Sequence, residues 1–345
     1  MLLVNKPRLK AKPELKINSS PQVNKQAGWD LYRDGISKSM LEKFHACPEK
    51  MRLSYIQGIK GDYDSANLRF GNTVHSAIER MYRDGVCNEA RSEQRIKEIL
   101  MDIRRADIKK AATAVNKASI LETIEENHGK AIAVVLGYYR YWKETDSKRK
   151  WIDLEKEFDI LFSGIRIRGK IDGSYRPDTG KIWIKDIKTK GQINENNLRL
   201  VMSNDLQLNI YGWAAKQLYN EPVAGVEYDI IRNPQLRQKQ TEDKANFIAR
   251  IAADIETRPE FYFMRFSFPF SEKEIAAWEK EFQIMLEEIT RWANNIPRFN
   301  YKRTSSCETR YGRCEFLNYC ASNSLMGYTK RTEIFPELKG VEPEI

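Results

Sequence analysis

Apolar residues recur at spacings of three and four through the first part of the chain. From Ser37 onward Met40, Leu41, Phe44, Cys47, Met51 and Tyr55 fall on one helical stripe that Ser37 or Ser39 can cap. Pro48 predicts a kink or a break into two shorter helices, because proline lacks the N–H that a helix interior uses. Val74, Ile78 and Met81 mark another helix over residues 71–83, and two more are expected near 91–115 and 119–146. The period then shortens to two. Residues 151–162, 165–175 and 181–187 read as strands, the last two joined through Arg176-Pro-Asp-Thr-Gly180, a turn composition suited to a hairpin. The three form an antiparallel meander. A helix over 198–219, a strand over 224–231, a helix over 238–256, a strand over 262–268 and a helix over 271–294 follow, with Ser271 and Glu274 placed as a capping box.

Those elements predict an α/β fold bordering on α+β: a mixed central sheet with an antiparallel meander, flanked by helices and preceded by a helical region. We read 1–30, with Pro7, Pro13 and Pro21 among lysines, as a flexible basic tail. Residues 31–325 are expected to form one domain, with a helical part over 37–146, a sheet core over 151–294 and a cysteine-rich segment over 300–322. Residues 326–345 would be a second tail, and no internal repeat is visible. At 345 residues and 41% hydrophobic content the chain can bury a sizeable core. No run approaches the roughly 18–20 apolar residues that span a bilayer, and Met1-Leu-Leu-Val4 is too short for a signal-peptide core, so a cytoplasmic address is expected and a membrane partner is not. The net charge of +10 suits a polyanionic partner, although a solvated surface would carry it equally well. Five cysteines without an export signal favour metal or cluster ligation over disulfides.

The candidate chemistry centres on Asp186-Ile187-Lys188. Residues two apart on a strand share a face, so Asp186 can hold a metal while Lys188 meets a phosphate or the attacking water. Asp172 closes the strand before it, on the side that also carries Lys170 and Arg166 and Arg168, which are candidates for binding the substrate backbone, opposite Ile165, Ile167 and Ile171. Alone, Asp172-Gly173 reads equally well as the start of a turn and Asp186 as a solvated strand end. Together, on adjacent strands, they suit metal-assisted phosphodiester cleavage, in which a divalent ion lowers the pKa of a bound water and offsets phosphate charge. Carboxylate and imidazole ligands suit Mg²⁺ or Mn²⁺. His75 and Glu79 lie one helical turn apart, as do Gln207 and Tyr211, which could donate to a DNA backbone; each pair is weak taken singly. Arg104, Arg105, Lys109 and Lys110 make a basic helix face that either tracks a nucleic-acid backbone or is simply solvated. Gly173 to Gly180-Lys181 is not a phosphate-binding loop: its glycines are too far apart, and Ile182 stands where Ser or Thr must contact Mg²⁺.

In order, Gly71-x3-His75-x3-Glu79, Gly169-Lys-Ile-Asp172-Gly173, Asp186-Ile-Lys188-Thr189 and Gln207-x3-Tyr211 resemble the motif series of RecB-like nucleases in the PD-(D/E)XK superfamily, over roughly residues 37–322. The resemblance implies a restriction-endonuclease-like core in which His75, Asp172, Asp186 and the main-chain carbonyl of Ile187 bind Mg²⁺ or Mn²⁺. It makes Lys188 catalytic beside Asp172 and Asp186, gives substrate positioning to Gln207 and Tyr211, and puts Glu79 in a supporting role. One early and three late cysteines (Cys47, Cys307, Cys314, Cys320) match the iron–sulfur branch, which includes AddB-like nucleases and CRISPR-associated exonucleases, and imply a [4Fe–4S] cluster. A zinc ion is the competing metal and unrelated buried thiols the plain alternative. The Cys307-x6-Cys314 interval is longer than that branch's x2 spacing, and Cys87 is left over as structural. The expected activity is a DNA exonuclease working on ends or on single strands, with a helicase or recombination protein as partner. The alternative is a non-catalytic nucleic-acid-binding subunit of a repair or CRISPR-adaptation complex. The phage, repair and CRISPR settings, digestion polarity and oligomeric state stay open.

Overall fold

The structure, a computed structural model, describes residues 28–335 except 62–64, 89, 113–116, 178–179, 194, 203, 310–311 and 332. Most of the expected N-terminal tail and the end of the C-terminal tail therefore lie outside the described residues, as does the centre of the 176–180 turn. In chain order the elements are α1 (Leu31–Asp34), β1 (Ile36–Ser37), α2 (Lys38–Ala46), α3 (Pro48–Met51), a π-helical turn (Arg52–Ile56), β2 (Ile59–Gly61), α4 (Ala66–Arg83), α5 (Ser92–Ala111) and α6 (Lys117–Asp146). Then come β3 (Lys150–Phe162), β4 (Ile165–Arg176), β5 (Ile182–Lys190), α7 (Glu195–Met202), α8 (Leu206–Tyr219), β6 (Val223–Arg232), α9 (Lys244–Thr257), α10 (Pro259–Tyr262), β7 (Phe263–Pro269) and α11 (Glu272–Asn294). The chain closes with α12 (Ile296–Phe299), β8 (Glu308–Thr309), β9 (Gly312–Arg313), α13 (Leu317–Ser322) and β10 (Tyr328–Lys330).

Pro48 breaks the first helical stripe as expected, standing at the start of α3. Other boundaries moved because a side chain caps the backbone where periodicity alone does not show it. Ser65 accepts from the Leu68 N–H at 3.2 Å and starts α4 five residues before Gly71. Asp205 accepts from the N–H groups of Gln207 and Leu208 at 2.9 and 3.0 Å, which splits the helix expected over 198–219 into α7 and α8. Asp243, accepting from Asn246 N–H at 2.8 Å, delays α9 to Lys244. Ser271 and Glu274 do form the expected capping box.

The central sheet runs β1-β4-β5-β6-β7, with β3 also paired to β4. β3, β4 and β5 are the antiparallel meander; β5 and β6 run parallel, and β7 returns antiparallel to β6. One face packs against α2, α8 and α11 through Ile182, Ile184, Val226 and Ile230 meeting Phe44, Trp213, Phe282 and Trp292. The other packs against α4, α5, α6 and α9 through Ile187, Ile231 and Phe263 meeting Val74, Leu100, Tyr138 and Ile251. Helices thus cover a mixed sheet on both faces. No helix among the described residues is long and apolar enough to cross a membrane.

One detail of the sheet positions everything that follows. β4 pairs with β5 only over Gly173–Tyr175, and its earlier half pairs instead with β1 through Ile36↔Ile167 and Ser37↔Arg168. The sheet therefore forks between β4 and β5, and the fork opens at Asp172 and Asp186. Both acids were expected at strand ends; both lie inside longer strands, since β4 continues to Arg176 and β5 to Lys190. The turn reading of Asp172-Gly173 is excluded.

Candidate active site

At the fork the Asp172 carboxylate replaces part of the lost ladder: its Oδ2 accepts from the Ile187 backbone N–H at 2.9 Å. The same oxygen is 3.1 Å from His75 Nε2, delivered by α4 on one side of the sheet. From the other side α8 brings Gln207, whose Nε2 donates to Asp186 Oδ1 at 2.6 Å and to the Tyr211 hydroxyl at 2.9 Å. Lys188 Nζ also reaches Asp186 Oδ1, at 3.0 Å, as their shared strand face requires. His75, Asp172, Ile187, Lys188, Gln207 and Tyr211 line a cavity of ≈ 710 Å³ together with Lys38, Asn67, Arg168, Lys170 and Thr189, with Asp186 buried directly behind Lys188 and Gln207. His75, Asp172, Asp186, Ile187, Lys188, Gln207 and Tyr211, read from separate stretches of sequence, are brought to one place.

Electrostatics separate the two acids. Burial pushes Asp172 up, but the charges of His75 and Lys188 and the hydrogen bonds from His75 and Ile187 outweigh it and hold its carboxyl well below the usual range. Burial dominates at Asp186 and, with the nearby charge of Asp172, pushes it up to about 6 despite the pull of Lys188. Burial lowers the His75 and Lys188 pKa values, but the carboxylates around them more than compensate, and both end above their ordinary values. Two buried carboxylate oxygens, Asp186 Oδ2 and Glu155 Oε1, have no hydrogen-bond partner among the described residues. Such oxygens are costly to bury unless something else satisfies them, and a cation does so.

Glu155 is the residue that sequence reasoning missed. His75, Glu155 and Asp172 each offer a ligand atom within 4.8 Å of the others, the only such group of three or more among the described residues. Asp186 stands outside that group, although inclusion of this acid was expected. Glu155 sits in β3 with φ +54, a left-handed conformation uncommon for a non-glycine residue, and also pairs with Lys170. The signal was the turn Ser163-Gly164, whose φ values of +50 and +82 suit a two-residue hairpin. Phe162 pairs with Ile165 across it, and counting back along the ladder places Leu154 opposite Gly173 and Lys156 opposite Ile171, with Glu155 against Asp172.

The other expected site residues fall partly inside the cavity and partly outside it. Arg168 lines the cavity, held over the Phe335 ring at 4.9 Å and 3.2 Å from Asp159. Arg166 is also bound by Asp159 and does not line the cavity. Glu79 pairs with Arg83 and lines a small cavity behind His75 and Asp172. On α5, Arg104 is held by Glu125 at 3.0 Å and Arg105 by Asp102 at 3.3 Å, and neither lines the cavity. Behind the fork lies a buried network without a sequence signature: Lys185 with Glu227 and Asp229, Arg149 with Glu227, and Arg265 with Asp229 and Asp146, joined by Tyr82 and Tyr138.

Cys47, between α2 and α3, lies against the C-terminal segment that carries the other three cysteines, of which Cys314 and Cys320 pack near Leu53 and Ile59. Cys47 Sγ accepts from the Arg303 N–H at 3.3 Å, and the Cys314 N–H donates to Cys307 O at 2.9 Å. Burial raises the Cys320 thiol, with Cys314 and Cys47 among the groups that influence it. No three of these sulfurs lie within 4.8 Å of one another. A tetrahedral zinc with 2.3 Å bonds would draw them to roughly 3.8 Å, so they are not arranged as a closed zinc site. Cys87 stands apart, its thiol pushed up to about 12 by burial.

A mixed sheet that forks to bring two acids and a lysine together beside a histidine is the framework of a metal-dependent nuclease. The chain belongs to the PD-(D/E)XK nuclease superfamily, whose family model matches residues 35–321. Nucleases of this superfamily act on DNA with Mg²⁺ or Mn²⁺. A comparison with curated proteins found no match.

Proposed function

We propose that the protein is an exonuclease of the RecB-like kind, hydrolysing phosphodiesters at DNA ends or in single-stranded DNA during recombination, repair or phage DNA metabolism. The observation that carries this reading is the convergence of His75, Asp172 and Lys188 on one cleft, with Asp186 buried behind it against Lys188 and one Asp186 carboxylate oxygen without a hydrogen bond among the described residues. His75, Asp172, Asp186 and the Ile187 carbonyl would hold the divalent ion, and Glu155 supplies a further carboxylate beside them. When bound, the ion supplies an activated water and offsets charge on the phosphate. Lys188, held by Asp186, stays protonated and is placed to orient water or stabilise developing charge. Gln207 fixes the Asp186 carboxylate and Tyr211 fixes Gln207, so this pair positions the site more than it reaches the substrate. Arg168 and Lys170 on the wall suit the backbone.

The cleft has the volume of a site for a small ligand, enough for a nucleotide or two of unpaired strand. That supports action on single strands or frayed ends. A [4Fe–4S] cluster on Cys47, Cys307, Cys314 and Cys320 is part of the proposal; what supports it is the contact of Cys47 with Arg303 in the C-terminal segment that carries the other three thiols. Digestion of linear against closed circular single-stranded DNA in Mg²⁺ or Mn²⁺ tests the mode of attack. Linear DNA should be consumed and the circle spared; cutting of both at one rate would replace end-dependent digestion with internal cleavage.

A further inference from the structure

The basic line of the cleft continues past the reacting centre. β5 and β6 run in register with Lys188 opposite Ile230 and Lys190 opposite Arg232, so Lys188, Lys190 and Arg232 share one face of the sheet. Lys188 and Lys190 are about 6.6 Å apart along the strand, a step comparable to that between phosphates of an extended single strand. Lys190 lies over the Tyr228 ring, 5.1 Å from its centroid. At the end of the line is a second cavity, ≈ 260 Å³, lined by Gly191, Arg232, Gln235, Leu236, Arg258 and Phe261 among others.

Hydrogen bonds through Asn233 link a residue of one cavity to a residue of the other. Asn67 lines the first and accepts from Asn233 Nδ2 at 3.2 Å. The Asn233 N–H donates to Lys190 O at 2.9 Å, and its carbonyl accepts from Gln235 Nε2 at 3.1 Å. In the second cavity Phe261 is 37% exposed and is stacked by two guanidinium groups, Arg232 at 4.0 Å and Arg258 at 4.3 Å from the ring centroid. Both are held in place: Arg232 Nε donates to the Phe261 carbonyl at 2.9 Å, and Arg258 is bidentate to Asp254 at 2.8 and 2.9 Å. Fixed guanidinium planes on an exposed ring are a surface on which unpaired bases stack, and their charge suits a phosphate backbone. An arginine–aromatic stack alone is ordinary surface. The adjoining cavity, and Lys190 standing between Lys188 of the cleft and Arg232 of that cavity, are what make this one a site.

We propose that the Arg232–Phe261–Arg258 cavity is a nucleic-acid subsite that takes the unpaired strand a few nucleotides beyond the scissile phosphate, with a base stacked on the arginine–aromatic platform and the backbone passing Lys190. The proposal rests on the reading of the cleft as a DNA-binding site. Binding of fluorescently labelled oligothymidylates is measured by anisotropy in EDTA, so that no turnover intervenes, comparing a trinucleotide with a strand of about a dozen nucleotides. The wild type should bind the longer strand more tightly, and Arg232→Gln combined with Phe261→Ala should cut that length-dependent gain about tenfold. If the double variant does not fold, Arg258→Gln, whose side chain is 44% exposed, must reduce the gain in the same direction. An unchanged gain in a folded variant, or no gain in the wild type, would overturn the subsite. Failure of the wild type to bind either length would overturn the DNA-binding reading itself.

Discussion

Glu155 and Asp186 each carry a buried carboxylate oxygen with no hydrogen bond among the described residues. Glu155→Gln keeps the shape and removes the charge, so we expect Mn²⁺ affinity to fall about 10- to 100-fold with the fold intact, read by calorimetric titration and by circular dichroism. Unchanged affinity would remove Glu155 from the metal site. Asp186 titrates in the folded chain at about 6, above its ordinary 3.8. Its proton therefore stabilises the metal-free fold: that contribution is complete below 3.8 and is lost as pH rises through about 6. Unfolding in EDTA should show stability falling over this window, and Asp186→Asn should flatten the slope. A metal must displace the same proton, so activity should decline as pH falls below about 6. The residues of this site were largely legible because Asp186 and Lys188 obey the period of two, and His75, Gln207 and Tyr211 keep their motif spacing. Glu155 was not, because its role depends on a register set by Ser163-Gly164 eight residues away.

The strands and helices themselves were mostly visible as apolar periodicity, and the errors fall where a polar cap overrides it. Asp205 both splits the expected helix and starts the one that carries Gln207 to Asp186. The fork between β4 and β5 had no local signal, since it arises from β1, a two-residue strand distant in sequence, displacing β5 from the earlier half of β4. Nor could periodicity reveal the charged cluster behind the fork. Lys185 is 1% exposed and bridges Glu227 and Asp229 of β6, the strand parallel to β5. Removing one member of such a network strands its partners' charges, so Lys185→Ala should cost about 3–5 kcal/mol in chemical denaturation. A loss below about 1 kcal/mol would mean that water or relaxation satisfies the acids without it.

At the scale of the whole molecule, helices on both faces of one mixed sheet hold the cleft, while the cysteine-bearing segment ties residues near 301–320 back to the first helices. If the cysteines hold a cluster, purified protein should be brown with broad visible absorption and Cys320→Ser should bleach it; a colourless wild type containing iron-free thiols would reject the cluster. The central claim is catalysis at the fork, and it is tested most directly by degradation of linear single-stranded DNA with Mg²⁺ or Mn²⁺ by the wild type and by Asp186→Ala. We expect metal-dependent release of short products by the wild type and a loss of at least about a thousandfold in the variant. Equal activity in the two proteins, or none in the wild type with either metal, would contradict it.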